Sequence, residues 1–276
     1  MPVRTATFCS AVFVSSMAQA HPAWSLSTDG FAIRSGGDIL MGHRAEVIGG
    51  DIFTAGRLHM QHDSWTNGTA YYGTSLQAKH AAGAGGGFEQ SSAPFGGAPW
   101  SIPDIGSANI SVGHDGAWTV GAGAYRNLDA KHRASVGLSA GEYVFRSISL
   151  GHDAVLNVDT TLGDVFIFAE RDVQLGQRAK INVTGEGGVY LVAGDRVSFG
   201  HDSVAEAAVF SLAGRVDMGQ RAELTGSIRA HGEVSLGHDA SLLHRAFGPS
   251  VQAVIPAPAT AAMLAPGLLL LGRRRR

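Results

Sequence analysis

Ile148-Ser-Leu150-Gly-His-Asp-Ala154-Val-Leu156 is the stretch on which the fold turns, because the chain repeats it. It returns as Val173-Gln-Leu175-Gly-Gln-Arg-Ala179-Lys-Ile181, Val197-Ser-Phe199-Gly-His-Asp-Ser203, Val216-Asp-Met218-Gly-Gln-Arg-Ala222-Glu-Leu224 and Val234-Ser-Leu236-Gly-His-Asp-Ala240-Ser-Leu242. Apolar and polar residues alternate before the glycine, which is the period of a strand with one buried face. The glycine is expected to make a bend that a residue with a Cβ would resist. A small residue and an apolar one then return to the core. The glycines fall at 151, 176, 200, 219 and 237, so each unit is 18 to 25 residues long. That length suits one coil of a β-solenoid, whose coils bury their apolar faces only by stacking.

Working outward, Ile39-Leu-Met41-Gly-His-Arg-Ala45 and Leu58-His-Met60-Gln-His-Asp-Ser64 carry the pattern toward the N-terminus. Ile110-Ser-Val112-Gly-His-Asp-Gly116 and Leu128-Asp-Ala130-Lys-His-Arg-Ala134 join them, which makes nine visible copies. A second strand precedes the glycine strand, as in Val165-Phe-Ile-Phe-Ala169 and Val189-Tyr-Leu-Val-Ala193. Residues 66–107 break the period with Ala82-Gly-Ala-Gly-Gly-Gly87 and Pro94, Pro99 and Pro103, so they are expected to leave the coil as a long Gly/Pro-rich loop packed on the solenoid. The expected fold is therefore all-β, a parallel β-helix of about nine or more coils spanning 21–247, on the order of 45 Å long. The residues Leu150, Leu175, Phe199, Met218 and Leu236 are expected to stack in one interior column.

The two ends differ from this body. Residues 1–20 have the layout of a secretory signal: Arg4, an apolar run from Ala6 to Met17, and the small-x-small site Ala18-Gln-Ala20. Residues 248–276 hold Pro256-Ala-Pro258, an apolar segment from Ala259 to Gly272, and Arg273, Arg274, Arg275 and Arg276. As a helix the apolar segment is roughly 21–24 Å long, short of a bilayer core of about 30 Å, so only transient membrane association is expected. Removing Arg4 and the four terminal arginines, from segments that hold no acid, turns the net charge from −2 to −7. An acidic body argues against nucleic acid as a partner. The only cysteine, Cys9, falls in the leader.

The tail resembles the PEP-CTERM sorting signal of exported bacterial proteins, with Ala257 where that family has Glu. The resemblance implies secretion machinery and an exosortase-like sorting enzyme as partners, with Ala18, Ala20, Pro256, Pro258 and Arg273 to Arg276 as the sorting and processing residues. The body is similar to bacterial surface β-helices built on Gly-Asn-Asn-Ala turns, with His-Asp or Gln-Arg here in place of the paired asparagines. That resemblance implies a right-handed β-helix at the cell surface and no catalysis.

The turn itself carries the most regular chemistry. Seven of the twelve histidines follow the turn glycine or its replacement: His43, His62, His114, His132, His152, His201 and His238. The next residue alternates in sign through Asp115, Arg133, Asp153, Arg178, Asp202, Arg221 and Asp239, and Arg44 and Asp63 begin the same alternation earlier. Stacked coils would set each charge between opposite ones, a ladder that fixes register and leaves no room for a cation. No metal or cofactor is expected. Glu142, Glu170 and Glu186 are scattered, without the acid–base constellation that a lyase needs. The functional expectation is an exported, non-enzymatic structural or adhesive β-helix of the cell envelope or extracellular polysaccharide matrix, with end-to-end self-association as a possible assembly. The second reading is a carbohydrate-binding or polysaccharide-cleaving β-helix.

Overall fold

The structure, a computed structural model, describes residues 30–93, 95 and 101–246. All regular elements among these residues are strands, and their pairings are parallel. Each full coil has three of them. The first is the short apolar-x-apolar strand before the turn, and ten such strands make one sheet. The second follows the turn, as in Val155–Asp159 and Lys180–Thr184, and the third lies one corner further, as in Val165–Ala169 and Val189–Ala193. The second and third faces join in one 18-stranded sheet because the strands Val204–Ser211 and Glu223–Ala230 run round the corner between them. The interior is filled by the alternate residues that period two predicts. Leu150, Leu175, Phe199, Met218 and Leu236 are in register one above the other, and all are buried.

The coils do not stack in chain order. The ten-stranded sheet runs from Ile110–Val112 coil by coil to Val234–Leu236, and the next strand is Ile39–Met41, followed by Arg57–Met60 and Ser75–Ala78. Met41 is aligned on Leu236 and Ile39 on Val234. The N-terminal coils thus extend the far end of the C-terminal stack. The joint is a coil made from both ends of the domain. Val234–Leu236 and Ser241–His244 supply its first two faces, and Phe31–Ser35 supplies the third. Phe31–Ser35 lies between Glu223–Ala230 and Asp51–Thr54. Ile33 and Ala32 are fully buried there.

One expectation needs correction. The sequence places the excursion at 66–107, yet Ala70–Tyr72 completes the third face of the preceding coil, and residues 75–90 form a tenth coil with strands Ser75–Ala78, Gly83–Ala84 and Phe88–Gln90. Its turn, Lys79-His-Ala81-Ala82, has lost both the glycine and the charge, and the glycine run reads as loop. Gly83 has a packing reason instead, since a Cβ there would run into the Trp65 ring. The true departure is the connection 91–109, which carries the chain from the last coil in space to the first. Nine steps of about 4.8 Å make about 43 Å, and 19 extended residues reach about 63–68 Å, so the length suffices. The described residues of the connection pack on the outside of the third face. Phe95 meets His231 edge-on at 5.8 Å and lies under the Arg229 guanidinium at 5.7 Å. Ile102 covers the outward cluster Val144, Phe168, Tyr190, Val192, Ala208 and Phe210, and the Arg126 N–H donates to the Ala108 carbonyl at 2.7 Å. That cluster explains why third-face strands are apolar at nearly every position. The signal segment and the apolar tail lie outside the described residues.

Candidate functional site: a charged ladder at the turn

Every coil turns through the same four positions. The small residue at the end donates its N–H to the carbonyl of the glycine position: Ala154 to Gly151 and Ala179 to Gly176 at 3.1 Å, Ala222 to Gly219 and Ala240 to Gly237 at 3.2 Å. The left-handed residue is the third, not the glycine. φ lies between 54° and 59° at Arg44, Asp63, Ala81, Asp115, Arg133, Asp153, Arg178, Asp202, Arg221 and Asp239. A positive φ at that place is the mark of a type II turn, which favours Gly or Asn. Aspartate tolerates it, whereas arginine does so at a cost. The glycine serves a different need from the bend expected of it. A Cβ on Gly176 would sit 2.7 Å from the Gly151 carbonyl carbon, and one on Gly237 2.7 Å from that of Gly219. The coils touch backbone to backbone there.

The left-handed residues are tied along the stack. Their N–H groups point to the next coil and donate to the carbonyl of its second turn residue: Asp153 to Gln177 at 3.0 Å, Arg178 to His201 at 2.8 Å, Asp202 to Gln220 at 2.9 Å and Arg221 to His238 at 2.9 Å. The side chains repeat the link. Arg133, Arg178 and Arg221 each grip the preceding aspartate with two nitrogens, Nε to Oδ1 of Asp115 at 2.5 Å, of Asp153 at 2.7 Å and of Asp202 at 2.6 Å. The Nη2 contacts to the same carboxylates are 2.8 to 2.9 Å. This bidentate fork is the strong form of the guanidinium–carboxylate contact.

Arg44 and Asp63 were expected to begin the alternation; in space they end it. The Asp239 N–H donates to the His43 carbonyl at 3.0 Å, and Arg44 holds Asp239 at 2.6 and 2.9 Å. The spatial order is Asp115, Arg133, Asp153, Arg178, Asp202, Arg221, Asp239, Arg44, Asp63, with signs alternating across the joint. A signal for the joint was therefore present in the sequence. Stacked in chain order, Arg44 and Asp239 are unmatched ends, and wrapping the stack pairs them. Asp63 has His43 at 3.4 Å, and Ala81 closes the column without a charge.

The arginines hold these carboxyls acidic. Hydrogen bonds from Arg133, Arg178 and Arg221 lower Asp115, Asp153 and Asp202 from their ordinary value. Hydrogen bonds from Arg44, with help from His238, bring Asp239 from 3.8 to about 2. A carboxyl more acidic in the folded state stabilises the fold above its unfolded value, and that contribution fades as pH falls toward the folded one. The thermal midpoint is thus expected to be insensitive to these aspartates above about pH 5 and to drop between about pH 4 and 2. A pH series of melts checks it, and replacing Asp239 with Asn should flatten part of that drop.

Beside the ladder runs the imidazole column. His43 stacks on His238 with centroids 5.0 Å apart and planes 7° from parallel. His132, His152 and Asp153 bring ligand atoms within 4.8 Å of one another, a grouping with metal-ligand potential. Arg178 already holds both Asp153 oxygens, and its Nη2 touches His152 Nε2. A cation at this grouping would have to compete with that guanidinium for Asp153 and His152. Reversing the Arg178 charge tests the ladder. Arg178→Asp sets three carboxylates in succession and should lower the thermal midpoint by about 2–4 °C. Adding Asp153→Arg and Asp202→Arg should recover part of that loss, most clearly at low salt.

Ala18, Ala20, Pro256, Pro258 and Arg273 to Arg276 lie outside the described residues. No curated protein matches the chain. Among solved structures, it is similar to an ice binding protein from an Antarctic Biological Consortium at 16% identity and TM-score 0.38, over 88% of this chain and 95% of that one. It is also similar to an ice binding protein from an Antarctic bacterium Flavobacteriaceae at 10% identity and TM-score 0.36, over 77% and 81%. Both likenesses are too loose to carry a ligand across. Residues 120–267 match the family described as Domain of unknown function (DUF7305). That span exceeds half of the 276 residues, so the chain belongs to the DUF7305 family.

Proposed function

We propose that this chain is an exported, non-enzymatic β-helix of the cell envelope or extracellular polysaccharide matrix. In this reading its tail hands it to an exosortase-like sorting enzyme after the secretion machinery has delivered it. The observation that carries the non-enzymatic part is the ladder: the most regular ionisable groups are bound to one another coil by coil. Glu142 lies within a third-face strand, Glu170 at the corner after the next one, and Glu186 at the corner between the second and third faces. Acids so dispersed do not converge on one substrate atom, as general acid–base catalysis requires. The order of signal, solenoid, Pro-x-Pro, apolar segment and tetra-arginine supports the sorting part.

Deleting Ala253 to Arg276 should release folded protein into the medium or periplasm, with the thermal midpoint unchanged. Fractionation of cells expressing both forms measures this. A truncated chain that stays on the envelope as well as the full one overturns the sorting role.

A further inference from the structure

At the turn, each ladder arginine lies next to a carboxylate that it binds. The corner between the third and first faces is built the opposite way. The Arg146 N–H donates to the Arg126 carbonyl at 2.6 Å, and the Arg171 N–H to the Arg146 carbonyl at 2.9 Å. Three arginines therefore occupy one position in successive coils, about 4.8 Å apart. Directly stacked like charges are unfavourable. Arg146 has Glu170 at 3.9 Å, and among the described residues neither Arg126 nor Arg171 has a carboxylate in ion-pair contact. Asp195 follows Arg171 in the same column, its N–H on the Arg171 carbonyl at 3.0 Å, and Asp172 follows Arg171 in sequence. Further along the corner, Arg196 and Arg215 share Asp217 at 2.7 and 2.9 Å.

Beside the first two arginines lies a shallow depression of about 350 Å³, lined by Asn127, Leu128, Asp129, Lys131, Ser147 and Ser149. Arg126 and Arg146 immediately precede Asn127 and Ser147, so the depression opens next to the cationic column. Its floor carries little net charge, because Lys131 Nζ lies 2.5 Å from Asp129 Oδ2. What it offers is the Ser147 and Ser149 hydroxyls and the groups of the Asn127 amide left over by its bond to Asn109 Oδ1 at 2.9 Å, donors and acceptors matched to the hydroxyls of a sugar ring. The column beside it offers guanidinium forks, which pair with carboxylate or sulfate in a fixed plane.

We propose that this corner is a binding strip for an anionic polysaccharide, with sugar hydroxyls in the depression and successive acidic groups on Arg126, Arg146 and Arg171. The inference rests on the matrix reading above and names the chemistry of the matrix component. A repeating linear polyanion fits a single-file column of cations, and relieves a repulsion that the turn ladder avoids. The chain's acidic body disfavours duplex nucleic acid on the same strip.

The test is retention of the full chain on immobilised polygalacturonate, against neutral dextran, duplex DNA and vesicles of anionic phospholipid. The wild type should be held on polygalacturonate and released by salt. Arg126→Gln with Arg171→Gln should weaken retention by about tenfold or more. Arg178→Gln, which removes an arginine already bound to Asp153, should leave retention unchanged, and circular dichroism should show all three forms folded. If wild type and double variant are held equally, the corner is wrong while a matrix role still stands. If polygalacturonate fails to hold the wild type, or DNA or vesicles hold it better, the polysaccharide assignment falls.

Discussion

Phe199→Ala should lower the unfolding free energy by about 3–5 kcal/mol, the range for removing a buried phenyl ring. Phe199 is 2% exposed and aligned with Leu175 on one side and Met218 on the other. The column continues through Leu236 to Met41 and Met60, so it crosses the joint between the two ends of the domain. A solenoid coil contacts only its neighbours, so the cavity cannot be closed by repacking from a distant element. The adjacent Ser198 projects outward, and Ser198→Ala should change stability by no more than about 0.5 kcal/mol. Denaturant melts of the two variants measure the contrast. Equal losses would mean that the first face is not the buried one.

Much of this was legible because it is written in local periods. Alternation before the glycine marks the inward residues of the first face, and the copies of Ile148 to Leu156 mark the coils. The sign pattern at Asp153, Arg178 and Asp202 is readable because one residue per coil stacks on one residue per coil. What escaped was not local. Glycine 176 looks like the bend, but in the protein the left-handed residue is Arg178, and Gly176 is small because Gly151 lies beneath it. The coil at 75–90 escaped because inward positions near the end of a stack tolerate Ala78 and Ala84, which erases the apolar signal. The stacking order escaped because any coil with the same pattern can lie on any other. Only the pairing of Asp239 with Arg44, 195 residues apart, distinguishes the true neighbour. The arginine column at the corner escaped for a related reason: Arg126, Arg146 and Arg171 are unequally spaced and fall outside the repeated motif.

The joint makes the strand Phe31–Ser35 the most consequential segment for its length. Removing residues 30–35 would strip the third face from the composite coil. Glu223–Ala230 and Asp51–Thr54 would then each lose a partner along that face, and the fully buried Ile33 and Ala32 would leave a gap through the core. The expected result is loss of a single cooperative transition, with residues 39–90 becoming protease-sensitive while the stack from 110 to 230 persists. Ile33→Ala, a milder lesion, should cost about 2–5 kcal/mol. A circular permutant separates this account from a general intolerance of N-terminal change. A Cβ on Gly50 would touch both Ala32, at 2.9 Å, and the His244 ring, at 3.0 Å, so the chain leaves the domain close to where it enters. Joining Ala246 to Gly30 through a short glycine linker, and opening the chain within 96–100, turns the composite coil into a continuous one. The coils are then connected in the order in which they stack. This permutant should fold with a thermal midpoint near that of the parent and keep the Asp239–Arg44 contact, even though the connection between residues 91 and 109 has been cut. If it fails to fold while Ile33→Ala is tolerated without loss, the N-terminal coils do not stack on residues 234–244, and the order of the ladder across Asp239 and Arg44 is wrong with them.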